Sequence, residues 1–227
     1  MSASSNPAHR FSLPARWTLF LAGMFTLSLG VAATVHAGLG TTTISSPPAV
    51  LAAATGYSLG TWTVVVNVLI MIITALILGR NYKANMLWQL PISILFGVMC
   101  DVSLWLTRWI DPQNYLVAWV IVVLGTMVVA VGIVMQLLGQ IAFMPGEAIV
   151  QALNTKLTRL DFGACKQIVD WTLVISAAII SWITMRDLVG VREGTIFAAF
   201  GIGFFVRLWQ KLYLTTVTPD KAEPDAS

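Results

Sequence analysis

The sequence predicts an all-α integral membrane protein, with six transmembrane helices forming two inverted three-helix repeats, each carrying a short interrupted or re-entrant helix. Three observations predict this. Of 227 residues, 57% are hydrophobic and only 10% charged, and the mean hydropathy of +0.82 lies far outside the range of soluble domains. The apolar residues fall into six runs, each near the roughly 20 residues that a helix needs to cross a hydrocarbon core of about 30 Å. The two halves of the chain also match when offset by about a hundred residues.

The first span, 17–36, follows Arg10 and Arg16 and contains Gly23 and Gly30, seven residues apart. Val35-His36-Ala37 resembles a signal-peptide cleavage site, but the apolar run exceeds the roughly 7 to 15 residues of such a leader, so the segment reads as a retained helix. Next comes AGLGTTTISSPPAV, residues 37–50, with five hydroxyl side chains, two adjacent prolines and no charge. Pro47 and Pro48 suit the first turn of a helix, and Val50 to Ala54 can continue it. An inward-facing amino end would offer free backbone N–H groups and a partial positive charge, an anion or carboxylate site. A surface-lying connector explains the same residues equally well.

The spans 61–79 and 86–107 complete the first half, and 115–138, 164–184 and 194–214 form the second. The fourth span again has glycines seven apart, Gly125 and Gly132, and is followed by a second polar break, FMPGEAIVQALNTKL. Each break leads to a glycine, Gly60 or Gly163, and seven residues later to Asn67 or Asp170. In the third members, Gly97 and Asp101 correspond to Gly203 and Arg207. Because each repeat has three spans, the second enters from the opposite side, as in many secondary transporters whose sites form where short helices of the two halves meet. The organisation is then a disordered cytoplasmic tail (1–15), one transmembrane domain (16–214, with repeats at about 16–110 and 114–214) and a second disordered tail (215–227).

Orientation follows from the cations. With the amino terminus inside, Arg10, Arg16, Arg80, Lys83, Lys156, Arg159, Lys166, Arg207, Lys211 and Lys221 fall on the cytoplasmic side and only Arg108, Arg186 and Arg192 outside. This positive-inside bias predicts cytoplasmic termini in a bacterial inner membrane.

Asp170 is the most informative position, since an ionisable group within a span is costly unless it faces protein or water. It could bind a cation or take up a proton, with Asn67 as the matched partner in a polar centre, or it could simply pair with Lys166 one turn earlier. Thr41, Thr42, Thr43, Ser45 and Ser46 on the first break, and Glu147, Gln151 and Asn154 on one face of the second short helix, are the other candidate solute-binding groups. A solvated helix face accounts for Glu147 as well. Asp101 and Arg207 could pair across the pseudo-two-fold axis, or Arg207 could snorkel to the surface. Trp17, Trp62, Trp88, Trp109, Trp182 and Trp209 lie near span ends, as interface anchors do.

Other chemistries lack their residues. The only histidines are His9 and His36, so there is no H-E-x-x-H site, and neither G-x-S-x-G nor a phosphate-cradling loop occurs. Cys100 and Cys165 give neither a disulfide framework nor metal-ligand spacing. The net charge of +3 is small and scattered, which argues against a nucleic-acid partner. No enzyme activity, cofactor or metal is expected, and the expected partners are the lipid bilayer and a small polar solute.

The segments GLGTTTISSPP, SLGTWTVVVN, QLPISILFGVMCD, MPGEAIVQAL and VREGTIFAAFGIGFFVRLW resemble the YczE-like group of bacterial membrane proteins, related to the YitT families. The likeness spans roughly 16–214 and implies a multi-pass inner-membrane protein sometimes suspected of transport, with no catalytic residues to carry over. Arg192 and Glu193 add charge where such proteins have a small-residue start to the last span. The sequence thus supports a transporter or binder of a small polar solute, with any coupling to ions or protons running through Asp170. The alternatives are a non-transporting scaffold or regulator of an associated complex, and a substrate-capturing subunit served by a separate energising module. Six spans are few for a complete transporter, which leaves room for a homodimer.

Overall fold

A computed structural model describes residues 12–81, 84–142, 144–157 and 162–217. Among the described residues there are eight α-helices: α1 (Leu13–His36), α2 (Ser46–Thr55), α3 (Leu59–Leu78), α4 (Gln89–Leu106), α5 (Tyr115–Gly139), α6 (Pro145–Lys156), α7 (Phe162–Met185) and α8 (Glu193–Val217). There is no strand among the described residues. Five helical segments are long and apolar enough to cross a membrane: Leu13–His36, Leu59–Asn81, Met86–Leu106, Tyr115–Gly139 and Gly163–Met185. The sixth expected span falls within α8. That helix is long enough, but Arg207, Gln210 and Lys211 crowd its second half and lower its apolar character. Helix α1 begins within the tail expected at 1–15 and α8 runs into the one expected at 215–227; the remaining tail residues, 1–11 and 218–227, lie outside the described residues.

Two groups of helices carry the packing. In one, α1 runs along α5, with α4 against α1 and α8 against α5. In the other, α2, α3, α6 and α7 form a ring in which each short helix packs on both long ones. The main contact between the groups is α3 on α4.

Glycines set the closest approaches. A Cβ at Gly23 would sit 2.8 Å from the Gly132 carbonyl oxygen, one at Gly30 2.7 Å from that of Gly125, and one at Gly139 2.9 Å from that of Arg16. Numbers rising on α1 meet numbers falling on α5, so the pair is antiparallel, and backbone-to-backbone contact leaves no room for any side chain there. Such small-residue seams are how membrane helices gain packing energy when lipid is as apolar as leucine. Gly60 and Gly97 interlock likewise between α3 and α4. Gly203 on α8 faces open space, so its match to Gly97 does not extend to packing.

Large apolar side chains cover the outside, among them Leu76, Leu116, Ile183 and Phe200. A surface this apolar is what a chain in lipid presents.

Candidate functional site

After α1 the chain turns back on itself. Gly38 and Gly40 take positive φ (71° and 104°), a conformation glycine adopts freely. The reversal returns Thr41 to the level of the last turn of α1, where its hydroxyl meets that of Thr34 at 3.1 Å. From Leu39 to Ser46 the residues are buried except for half-buried Ile44. Helix α2 then buries its first residues, with Ser46 and Val50 fully enclosed, and emerges at exposed Thr55. Helix α6 repeats the gradient, from buried Pro145 and Gly146 to exposed Thr155 and Lys156. The two amino ends approach each other, since a Cβ at Gly146 would meet the Ile44 Cδ1 atom at 2.7 Å.

At this meeting point lies Asp170, 9% exposed on α7. Its carboxylate accepts from Thr43 Oγ1 (3.1 Å) and twice from Lys166 Nζ (2.5 and 2.7 Å). The Lys166 pairing expected from the i,i+4 spacing is therefore present, and a hydroxyl from the other half of the chain joins it. Lys166 is about a third exposed, so the group links the buried carboxylate to the start of α7.

Asn67 on α3 is 4% exposed. Its side chain makes no hydrogen bond among the described residues. Thr42 and Ser45 are buried beside Thr43, Thr42 as acceptor of the Ser46 hydroxyl at 3.0 Å. Gln151 lies on the exposed face of α6 and is not brought to the centre. Glu147 occupies the third position of α6, where its backbone N–H donates to the Met144 carbonyl at 2.9 Å. Burial pushes the Glu147 carboxyl pKa up, against the opposing pull of Lys166 and of the Met144 backbone.

The structure bears on two alternatives that the sequence left open. Asp101 does not pair with Arg207: it accepts the Gly60 N–H at 2.7 Å, at the positive amino end of α3, while Arg207 Nε donates to Gly203 O on its own helix. The amino end of α2 is also a poor anion site, because Pro47 and Pro48 occupy its first turn and proline has no N–H. Carboxylate and hydroxyl side chains therefore dominate the centre, rather than free backbone donors.

The linker before α8 supplies residues that the sequence did not single out as partners of the first loop. Ser181 Oγ donates to Asp187 O (2.6 Å) and accepts from the Val189 N–H (2.9 Å), folding the linker back along α7. Arg192 Nη1 then donates to Gly38 O (3.2 Å), Gly194 N–H to Leu39 O (2.8 Å), and Thr41 N–H to Thr195 Oγ1 (3.1 Å). The two quoted motifs GLGTTT and VREGT thus meet in space. Their shared glycine content was visible in the sequence, but nothing in it set the one beside the other.

Five long apolar helices, a lipid-compatible exterior and a buried polar centre define a multi-pass membrane protein. The chain belongs to a family of unknown function, DUF6198, whose family model matches residues 14–211. No curated protein and no solved structure matches the chain.

Proposed function

We propose that the protein is a six-span, inverted-repeat protein of the bacterial inner membrane, with cytoplasmic termini, that binds or moves a small polar solute at the centre around Asp170. The observation that carries the reading is the Thr43–Asp170 hydrogen bond, which brings a buried, hydroxyl-rich loop of one half onto an ionisable group of the other. Buried Asn67 at the matched position, with no side-chain hydrogen bond among the described residues, adds a second polar group to the lining. Membership of DUF6198 does not itself link the chain to the YczE-like proteins, and the proposal rests on the residues alone.

Several features support the inverted repeat. Gly23 and Gly125 are counterparts, as are Gly30 and Gly132, and each packs against the counterpart of the other, the pattern of a two-fold contact. The packing of α2 on α7 is matched by α6 on α3, and that of α4 on α1 by α8 on α5. Helix α8 serves as the sixth span: its 25 residues reach roughly 37 Å at about 1.5 Å per residue. The positive-inside bias gives the orientation, and the burial gradients of α2 and α6 fit segments that enter the protein interior and return.

A second reading, a non-transporting scaffold or regulator, is favoured by the fact that Lys166 and Thr43 already engage Asp170, as a purely structural pairing would. A thermal-shift screen of purified protein against metabolites and inorganic ions separates the two. A binder gains stability with at least one solute and loses that gain in Asp170→Asn. Absence of any solute effect, together with co-purification of a partner, would overturn the proposal in favour of the scaffold.

A further inference from the structure

We infer that the loop Gly38–Thr41 and the start of α8 form a latch that closes the polar centre on the side where α8 begins, the external side in the topology proposed above, so that the centre communicates with the cytoplasmic side. The inference rests on that topology and adds an access rule to the same site.

The latch consists of three hydrogen bonds between the two halves of the chain. Arg192 holds the Gly38 carbonyl, the Gly194 amide holds that of Leu39, and Thr195 Oγ1 accepts the Thr41 amide. Two glycines make the approach close enough. A Cβ at Gly40 would collide with Thr195 Oγ1 and come within 2.9 Å of the Arg192 nitrogen, and one at Gly194 would lie 2.6 Å from Leu39 O. Apolar packing backs the bonds, with Leu39 and Ala37 against Ala118 and Val122. Behind the latch Thr41, Thr42 and Thr43 are 2%, 5% and 3% exposed.

On the opposite side the centre ends on a partly exposed group. Lys166, bonded to Asp170, keeps 36% of its side chain exposed near the start of α7, and of the residues that answer the latch, Gln140 is exposed and Ile141, Ala142 and Met144 are half-buried. In a protein with inverted repeats, exchanging the states of the two loops would open the centre to the other face, which is how alternating access works in such folds.

The Gly194 bond also caps the first turn of α8, so the test must distinguish capping from gating. The reporter is Ser45→Cys, a small change at a buried residue whose side chain makes no cap bond. Labelling by a membrane-impermeant maleimide is followed in right-side-out and inside-out vesicles, with the parent protein as background, since Cys100 and Cys165 are buried. The latch is weakened independently by Thr195→Val, which removes the acceptor, and by Gly40→Ala, which forces the contact apart.

With the latch intact, external labelling should be slow. Either substitution should raise it about tenfold, the effect of roughly 1.4 kcal/mol on an opening equilibrium, while cytoplasmic labelling stays unchanged. Equal acceleration from both sides marks a mere loss of capping and overturns the latch, as does fast external labelling before any substitution. Side-specific acceleration without any solute stabilisation would leave the latch standing and remove the solute. Asp170-dependent stabilisation with a freely accessible Ser45→Cys would do the reverse.

Discussion

Lys166 bonds both carboxylate oxygens of Asp170 and Thr43 shares Oδ1 with it, and removing each partner has a different expected cost. Thr43→Val deletes one hydrogen bond to a charged group and should lower stability by roughly 1.5 to 3 kcal/mol. Lys166→Met leaves a nearly buried carboxylate with one hydroxyl; because Lys166 is a third exposed, about 1 to 3 kcal/mol is expected, below the cost of breaking a fully buried pair. The double change Lys166→Met with Asp170→Leu should recover part of that loss, which denaturation of the detergent-solubilised variants would show. Glu147 gives a pH signature. Its carboxyl pKa is raised in the folded protein, so the folded state holds the proton more tightly and stability declines as pH rises from the ordinary carboxylate value through the raised one. Glu147→Gln should flatten that decline in melting temperature. An unchanged pH profile would mean that Glu147 is solvated in both states.

At the scale of the element, the α1–α5 seam depends on backbone contact. Gly132→Ala would place a Cβ 2.6 Å from the Leu27 nitrogen and 2.7 Å from the Gly23 carbonyl. Neither atom is a flexible side-chain end, so the helices must separate, at a cost of roughly 1 to 3 kcal/mol. Gly203→Ala, facing open space, should leave stability within about 0.5 kcal/mol of the parent, although both glycines lie within 25-residue α-helices. Melting the two variants side by side checks the contrast. The sequence indicated which segments would be helices, because apolar length and the glycine-proline breaks are local signals. It indicated the order of matched residues in the two halves for the same reason. It did not separate Gly97, interlocked with Gly60, from Gly203, since that difference lies in α4 packing on α3 whereas the principal neighbour of α8 is α5.

For the whole molecule, the arrangement of eight helices into two groups was not legible. Membership of a group is decided by contacts such as Thr41 with Thr195 and Thr43 with Asp170, whose partners are 154 and 127 residues apart. Pattern matching could pair Asn67 with Asp170 by position, but it could not foresee that Asp170 is bonded and Asn67 is not. Nor could it foresee that Pro47 and Pro48, which favour a helix start, would also strip that start of donors. The central claim is that the two halves enter the membrane from opposite sides, so that α2 and α6 bring their amino ends to one centre. Their carboxyl ends should then emerge on opposite faces. The direct measurement is side-specific labelling of single cysteines at Tyr57→Cys and Leu157→Cys, both at exposed positions, with an impermeant thiol reagent in right-side-out and inside-out vesicles. The expected result is labelling of Tyr57→Cys from the outside only and of Leu157→Cys from the cytoplasmic side only. Labelling of both from the same side would contradict the inverted repeat and the shared centre built on it.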